Sequence, residues 1–203
     1  MKHDSSRALF DYWNELRGAR VAPRRTAVEP AAISSILRDT FILQATDPGY
    51  PFRLAGTRLC AMFGRELKRS RFTNLWHPDG ADRLDLILLT VAEEGRPFLI
   101  GATAQAERGR QVAVEVLLLP LVQSGPNYDR IMGVAAPVEV PYWLGVEPVT
   151  TLRPVSDRLL ATEDSSFSER QAPQPSFVQS PPSIAEAAAR RDRFIVLDGG
   201  KSG

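Results

Sequence analysis

The sequence predicts an α+β domain of five strands, with helices inserted between the second and the third. Three observations predict it. Residues 41–44 and 50–57 are β-prone runs on either side of Asp47-Pro48-Gly49, which reads as a hairpin. Leu84, Ile87, Leu88 and Val91 recur at the i, i+3, i+4, i+7 spacing of a buried helix face. Three alternating runs, 98–107, 111–120 and 130–138, then follow one another across Arg108-Gly109-Arg110 and Ser124-Gly125-Pro126-Asn127, as an antiparallel meander requires. Helices are expected over one face of such a sheet.

The chain opens on an amphipathic helix. Asp4 and Ser5 are good N-cap types, Leu9, Trp13 and Leu16 form its stripe, and Gly18 supplies a C-cap. That stripe has two readings: packing on its own domain, or a dimer interface with a second copy. Residues 22–26 form a proline-punctuated connector. Pro30 then stands in the first turn of a short helix with the stripe Ile33, Ile36, Leu37. In the second strand Tyr50, Phe52 and Leu54 share one face by period-two geometry. Gly56 ends it where backbone turns sharply or approaches something closely, and Thr57 is placed to cap a helix over 58–63.

Phe72, Leu75 and Trp76 form a second apolar cluster, and Asp79 is placed to cap a helix over 80–94, closed by Gly95. In the meander Phe98, Ile100, Ala102 and Ala104 share a face, as do Val112, Val114, Val116 and Leu118, leaving Glu115 on the opposite side. The organisation is therefore a helix and connector over 1–28, the domain over 29–141, and a Pro/Ser-rich stretch over 142–182 that reads as a disordered linker. Residues 183–203 hold a short helix and Phe194-Ile195-Val196-Leu197, a segment suited to docking on a sheet edge.

Charge and composition exclude several classes. With 25 basic against 24 acidic residues there is no global field to hold nucleic acid or an acidic membrane surface, so neither partner is expected. One cysteine excludes a disulfide framework and cannot alone build a zinc site, which fits a reducing cytoplasm. No apolar run approaches the roughly 20 residues needed to span a bilayer.

The side chains with chemistry are few. Arg24 and Arg25 could grip a phosphate or carboxylate through their forked donors, although adjacent loop arginines are commonly solvated. His77, next to Pro78, reads as a capping or surface residue rather than a haem ligand, and Cys60 as a small buried hydrophobe. Glu115, a lone carboxylate among Val and Leu, is costly unless hydrogen-bonded. It either pairs on a solvated outer face or is aimed at a ligand or partner. Two histidines and one cysteine, without HxxxH, GxSxG or CxxC, leave no nucleophile and base and no metal set, so a non-enzymatic protein is expected.

Trp13, Arg17-Gly18, Pro23 with Arg25, Pro30, Phe52-Arg53-Leu54-Ala55-Gly56-Thr57, Gly64-Arg65-Glu66-Leu67, Trp76, Glu115 with Leu117-Leu118-Leu119-Pro120-Leu121, and Leu197-Asp198-Gly199-Gly200 together resemble a PAS domain. More narrowly, they resemble bacterial, mostly alphaproteobacterial, single-PAS proteins of about this length. PAS sequences often carry glycine just after the Gly64 to Leu67 segment, where this chain has Lys68-Arg69-Ser70. The resemblance implies a sheet in the order 2-1-5-4-3, a cavity between sheet and helices, and sensory or protein-interaction duty. It also implies a homodimer formed through the first helix. The expected function is regulation through protein contacts, gated or not by a small ligand in the cavity. The alternatives are a ligand-free adaptor and a binder of a signalling nucleotide held by Arg24 and Arg25 with Arg53. Candidate binding residues are Arg24, Arg25, Arg53, Gly56, Thr57 and Glu115, and no motif names a cofactor. Small residues at Gly101, Ala102 and Ala104 favour a hollow interior; a filled core of Phe and Leu favours the adaptor.

Overall fold

The computed structural model describes residues 1–45, 48–123 and 128–161. Two of the three expected turn segments, around Asp47 and at 124–127, fall partly or wholly outside these residues, as do the docking segment 183–203 and about half of the expected linker. The elements are α1 (Asp4–Arg17), β1 (Thr40–Gln44), β2 (Phe52–Ala55), α2 (Thr57–Met62), α3 (Ala81–Glu94), β3 (Phe98–Ala106), β4 (Gln111–Leu121), β5 (Arg130–Pro137) and β6 (Val149–Leu159). All six strands pair antiparallel in the order β2-β1-β5-β4-β3-β6. The first five keep the order that the resemblance implies.

The sixth strand corrects the reading of residues 142–182 as a linker from its start. β6 pairs with β3 along its length, with register shifts at Gly101/Ala102 and Gln105/Ala106. Pro154 and the charges around it read as loop, but an edge strand tolerates proline at a bulge and uses charge to blunt its free side. Gly101 lies opposite Ser156, and a Cβ there would stand 2.6 Å from the Ser156 hydroxyl. Its smallness therefore admits β6 and does not hollow out a cavity. The intervening chain is also anchored, because Trp143 is buried in the core.

Helices were expected over one face only, whereas apolar layers cover both faces of the sheet. One layer joins Val112, Val114, Val116 and Leu118 of β4 to α2, α3 and the 3-10 turn Phe72–Leu75. The other joins Leu117, Leu119 and Leu121 to Leu9 and Trp13 of α1 and to Val28, Ile33 and Ile36. This is why β4 is an almost continuous apolar run, which a strand covered on both sides requires.

Local readings shift with the packing. A bulge between Ile42 and Leu43 sets Phe52 opposite Leu43 and Leu54 opposite Ile42. Arg53 is the extra residue, and Leu54 is turned out of the face it was expected to share with Phe52. The expected helix after Pro30 is a run of turns with i→i+3 bonds such as Ile36 N–H to Ile33 carbonyl (3.0 Å), ending in the 3-10 turn Leu37–Asp39. A segment this short, with Ser34-Ser35 in it, gains too little from propagation to offset helix nucleation. The caps also differ. His3, not Asp4 or Ser5, caps α1, with its Nδ1 accepting from Ser5 N–H, and α2 and α3 start at Gly56 and Gly80 without side-chain caps. Arg69 takes a positive φ of 71°, a region that favours glycine, at the segment where PAS sequences often place one.

Candidate functional site

The space between the sheet and α2 and α3 is where the resemblance implies a cavity. Four rings from two strands and a turn pack there. Phe41 on β1, Phe52 on β2, and Phe72 and Trp76 in and after the Phe72–Leu75 turn meet at ring-centroid distances of 5.5–5.8 Å, three pairs edge-on and one stacked. Such geometries add to the area these rings remove from water. Ala102 and Ala104 are buried in the same cluster. Trp76 Nε1 is buried without an acceptor among the described residues.

Open clefts lie at the surface. One of about 390 Å³ runs between α3 and β6, lined by Leu86, Thr90, Arg96, Phe98 and Leu159 with the Arg83–Asp157 ion pair. Another, of about 220 Å³, lies between α2 and the chain after β5, lined by Arg58, Ala61, Met62, Pro137, Val140 and Leu144.

The titratable groups gather elsewhere, under the start of α1. Glu115 on β4 is 5% exposed, and its carboxylate accepts the Lys2 N–H at 2.7 Å and the His3 N–H at 3.1 Å. It is buried rather than on a solvated outer face, and it anchors the helix N-terminus, where backbone donors and the dipole favour an anion. Burial alone would push its carboxyl up, but the Lys2 and His3 donors hold it below the ordinary carboxylate range. Asp39, 1% exposed, accepts the Ser5 hydroxyl at 2.9 Å and the Arg58 Nη1 at 3.1 Å. The sequence reading missed Asp39 and Ser5 as a pair, since residues 34 apart carry no local signal of meeting.

Glu115→Gln is expected to cost about 1–3 kcal/mol by weakening a charge-assisted anchor. The folded carboxyl titrates below the unfolded one, so its stabilisation is present above the ordinary Glu range and is lost as pH falls through the folded value. Urea midpoints measured from neutral pH down to pH ~3 should therefore fall for the parent through and below the Glu range of about 4.3. The Glu115→Gln protein should start lower and lose less.

The remaining candidate residues do not converge. Arg24 is exposed and Arg25 half-buried, beside the end of β4, where the Arg25 N–H bonds the Val122 carbonyl at 2.7 Å. Arg53 is exposed on β2, with β5 and β1 between it and β4. Gly56 is buried because a Cβ would stand 2.4 Å from the Leu37 and Arg38 carbonyl oxygens. It is a glycine of close approach. Thr57 is exposed and caps nothing. His77 caps the turn Pro78–Gly80, its Nδ1 accepting from Asp79 N–H. The Cys60 thiol is pushed up by burial, then by Glu66, opposite to what a nucleophile needs. Leu9 and Trp13 are 0% and 1% exposed, and Trp13 Nε1 donates to the Pro120 carbonyl at 2.8 Å. Of the two readings of the α1 stripe, these contacts realise packing on the chain's own sheet; Leu16 packs there half-buried.

Among the described residues no three His, Cys, Asp or Glu side chains gather as metal ligands, and no helix is long and apolar enough to cross a membrane. No curated protein sequence matches the chain. Its similarity to solved structures is weak. The Rhodobacter sphaeroides LOV protein is 14% identical with a TM-score of 0.41, over 48% of this chain and 57% of that one. The light-state Aureochrome1 LOV structure is 16% identical with a TM-score of 0.41, over 57% and 91%. The PAS domain of an HTR-like protein from Haloarcula marismortui is 16% identical with a TM-score of 0.40, over 53% and 89%. Similarity this low carries nothing about chemistry. The family match is direct: residues 1–136 fit a PAS domain family, and the chain belongs to that family of sensory and regulatory modules.

Proposed function

We propose that the chain is a cytoplasmic regulatory PAS protein that acts through contacts with other proteins, and that its sheet–helix interior is structural rather than a ligand chamber. The packing of Phe41, Phe52, Phe72 and Trp76 carries this reading. A small-molecule site commonly offers about 300–1,000 Å³, and here those rings take up the space. With the interior filled, specificity falls to the surface.

One atom favours the second reading, a small ligand held inside. A buried indole N–H without an acceptor, as at Trp76, costs about 1–3 kcal/mol, and an oxygen-bearing ligand beside it would recover that. The nucleotide reading lacks such support, because Arg24 and Arg25 stand apart from Arg53.

Native mass spectrometry of the full chain purified from its own host separates the two. The expected spectrum contains the polypeptide, singly or in multiples, without added mass. A stoichiometric small molecule, identified in the denatured extract, overturns the reading in favour of a ligand-gated sensor.

A further inference from the structure

Between Tyr50 and His77 the chain carries six basic residues and one acid, Glu66, while the whole chain is only +1. The rest of the molecule is therefore net acidic, and this stretch is a charged pole. Its backbone makes the charges a strip. The segment after α2 runs along the outer edge of β2, with Phe52 N–H bonded to the Ser70 carbonyl at 2.9 Å, Arg69 N–H to the Phe52 carbonyl at 2.8 Å, and Pro51 bridged to Arg71. Arg53, Lys68, Arg69 and Arg71 are all exposed there. Glu66 is engaged locally, accepting the Lys68 N–H at 2.9 Å. Among the described residues Arg53, Arg69 and Arg71 enter no ion pair.

A surface of opposite sign adjoins it. Asp82, Asp85, Leu86, Leu89 and Glu93 lie at i, i+3, i+4, i+7 and i+11 on α3, one outward arc of the helix. Leu86 and Leu89 are 51% and 50% exposed, and the three acids are exposed and likewise enter no ion pair among the described residues. Tyr50 joins the two surfaces. Gly49, beside it, packs on the Arg71 side chain, and after burial it is Asp85 and Glu93 that push the Tyr50 phenol up.

We propose that the basic strip and the outer face of α3 form one self-complementary surface on which a second copy of the chain docks. Each copy's strip lies against the other's helix. Two adjoining patches of opposite sign can pair twice across a two-fold axis, and the exposed leucines supply the apolar centre that a specific interface needs. A nucleic acid fits less well, because the acidic helix repels phosphate and every aromatic side chain from Tyr50 to Trp76 is buried or half-buried, leaving no stacking platform. The surface is separate from the aromatic interior, so the two readings stand or fall apart.

Charge reversal tests it. By light scattering the full-length parent is expected to be a dimer at tens of micromolar, weakened by added salt. Arg69→Glu/Arg71→Glu and Asp85→Arg/Glu93→Arg should each weaken it at least about tenfold. Because one variant keeps the acidic helix and the other keeps the basic strip, an equimolar mixture regains one of the two contacts and should form mixed dimers, read by native mass spectrometry. Circular dichroism checks folding, and Arg53→Glu/Lys68→Glu replaces a first variant that fails it. A monomeric parent, a dimer indifferent to either reversal, or folded variants that stay apart when mixed overturns the proposal.

Discussion

Replacing Trp13 by alanine is expected to remove about 3–5 kcal/mol of folding stability, a large share of the 5–15 kcal/mol typical of a domain. Trp13 is 1% exposed, stacks on Phe10 at 6.1 Å and lies under the Arg17 guanidinium at 5.6 Å. Removing its ring opens the layer between α1 and β4, and removing its N–H leaves the Pro120 carbonyl without its donor in a buried site. Trp13→Phe separates the two losses. It keeps most of the volume and should cost only about 1–3 kcal/mol, the value of a buried acceptor left unpaired. Urea denaturation at neutral pH measures both. If Trp13 served an interface between copies instead, the substitution would change the mass in solution and leave the monomer's stability nearly intact.

The second large effect belongs to Phe72. It is the hub of the aromatic cluster, in contact with Phe41, Phe52 and Trp76. Phe72→Ala should cost about 3–5 kcal/mol, because rings held from two strands and a turn cannot all collapse into the space it leaves. The same substitution should create an apolar hollow that stays dry and accepts a small apolar guest. Denaturation and guest binding together distinguish a cavity from a general loosening of the fold.

Much of this was legible in the sequence, and the exceptions share a physical cause. Period two in β3 and β4 assigned Val112, Val114, Val116 and Leu118 to one layer, because alternation survives wherever a face is buried. It failed at β2, where the bulge at Arg53 turns Leu54 outward, and bulges leave no periodic mark. β6 was illegible because an edge strand keeps few of the apolar signals that mark a central one. Val149 and Leu152 are buried, but Val155 is 71% exposed and Pro154 sits at the bulge beside it. Glu115 was legible as anomalous but not as an anchor, since its donors lie 112 and 113 residues away. The clamp of Ser5, Asp39 and Arg58 was invisible for the same reason. The aromatic packing joins two strands and a turn far apart in the chain, and Gly101 looks like lining for a hollow only until β6 is in place.

Diffraction from crystals of the parent under xenon pressure separates a filled interior from a chamber, with Phe72→Ala as the positive control. A xenon site is expected in the variant beside Phe41, Phe52 and Trp76, and none at that place in the parent. A xenon atom bound between the sheet and α3 in the parent would contradict it, and would mean that the chain keeps an interior chamber able to take a ligand.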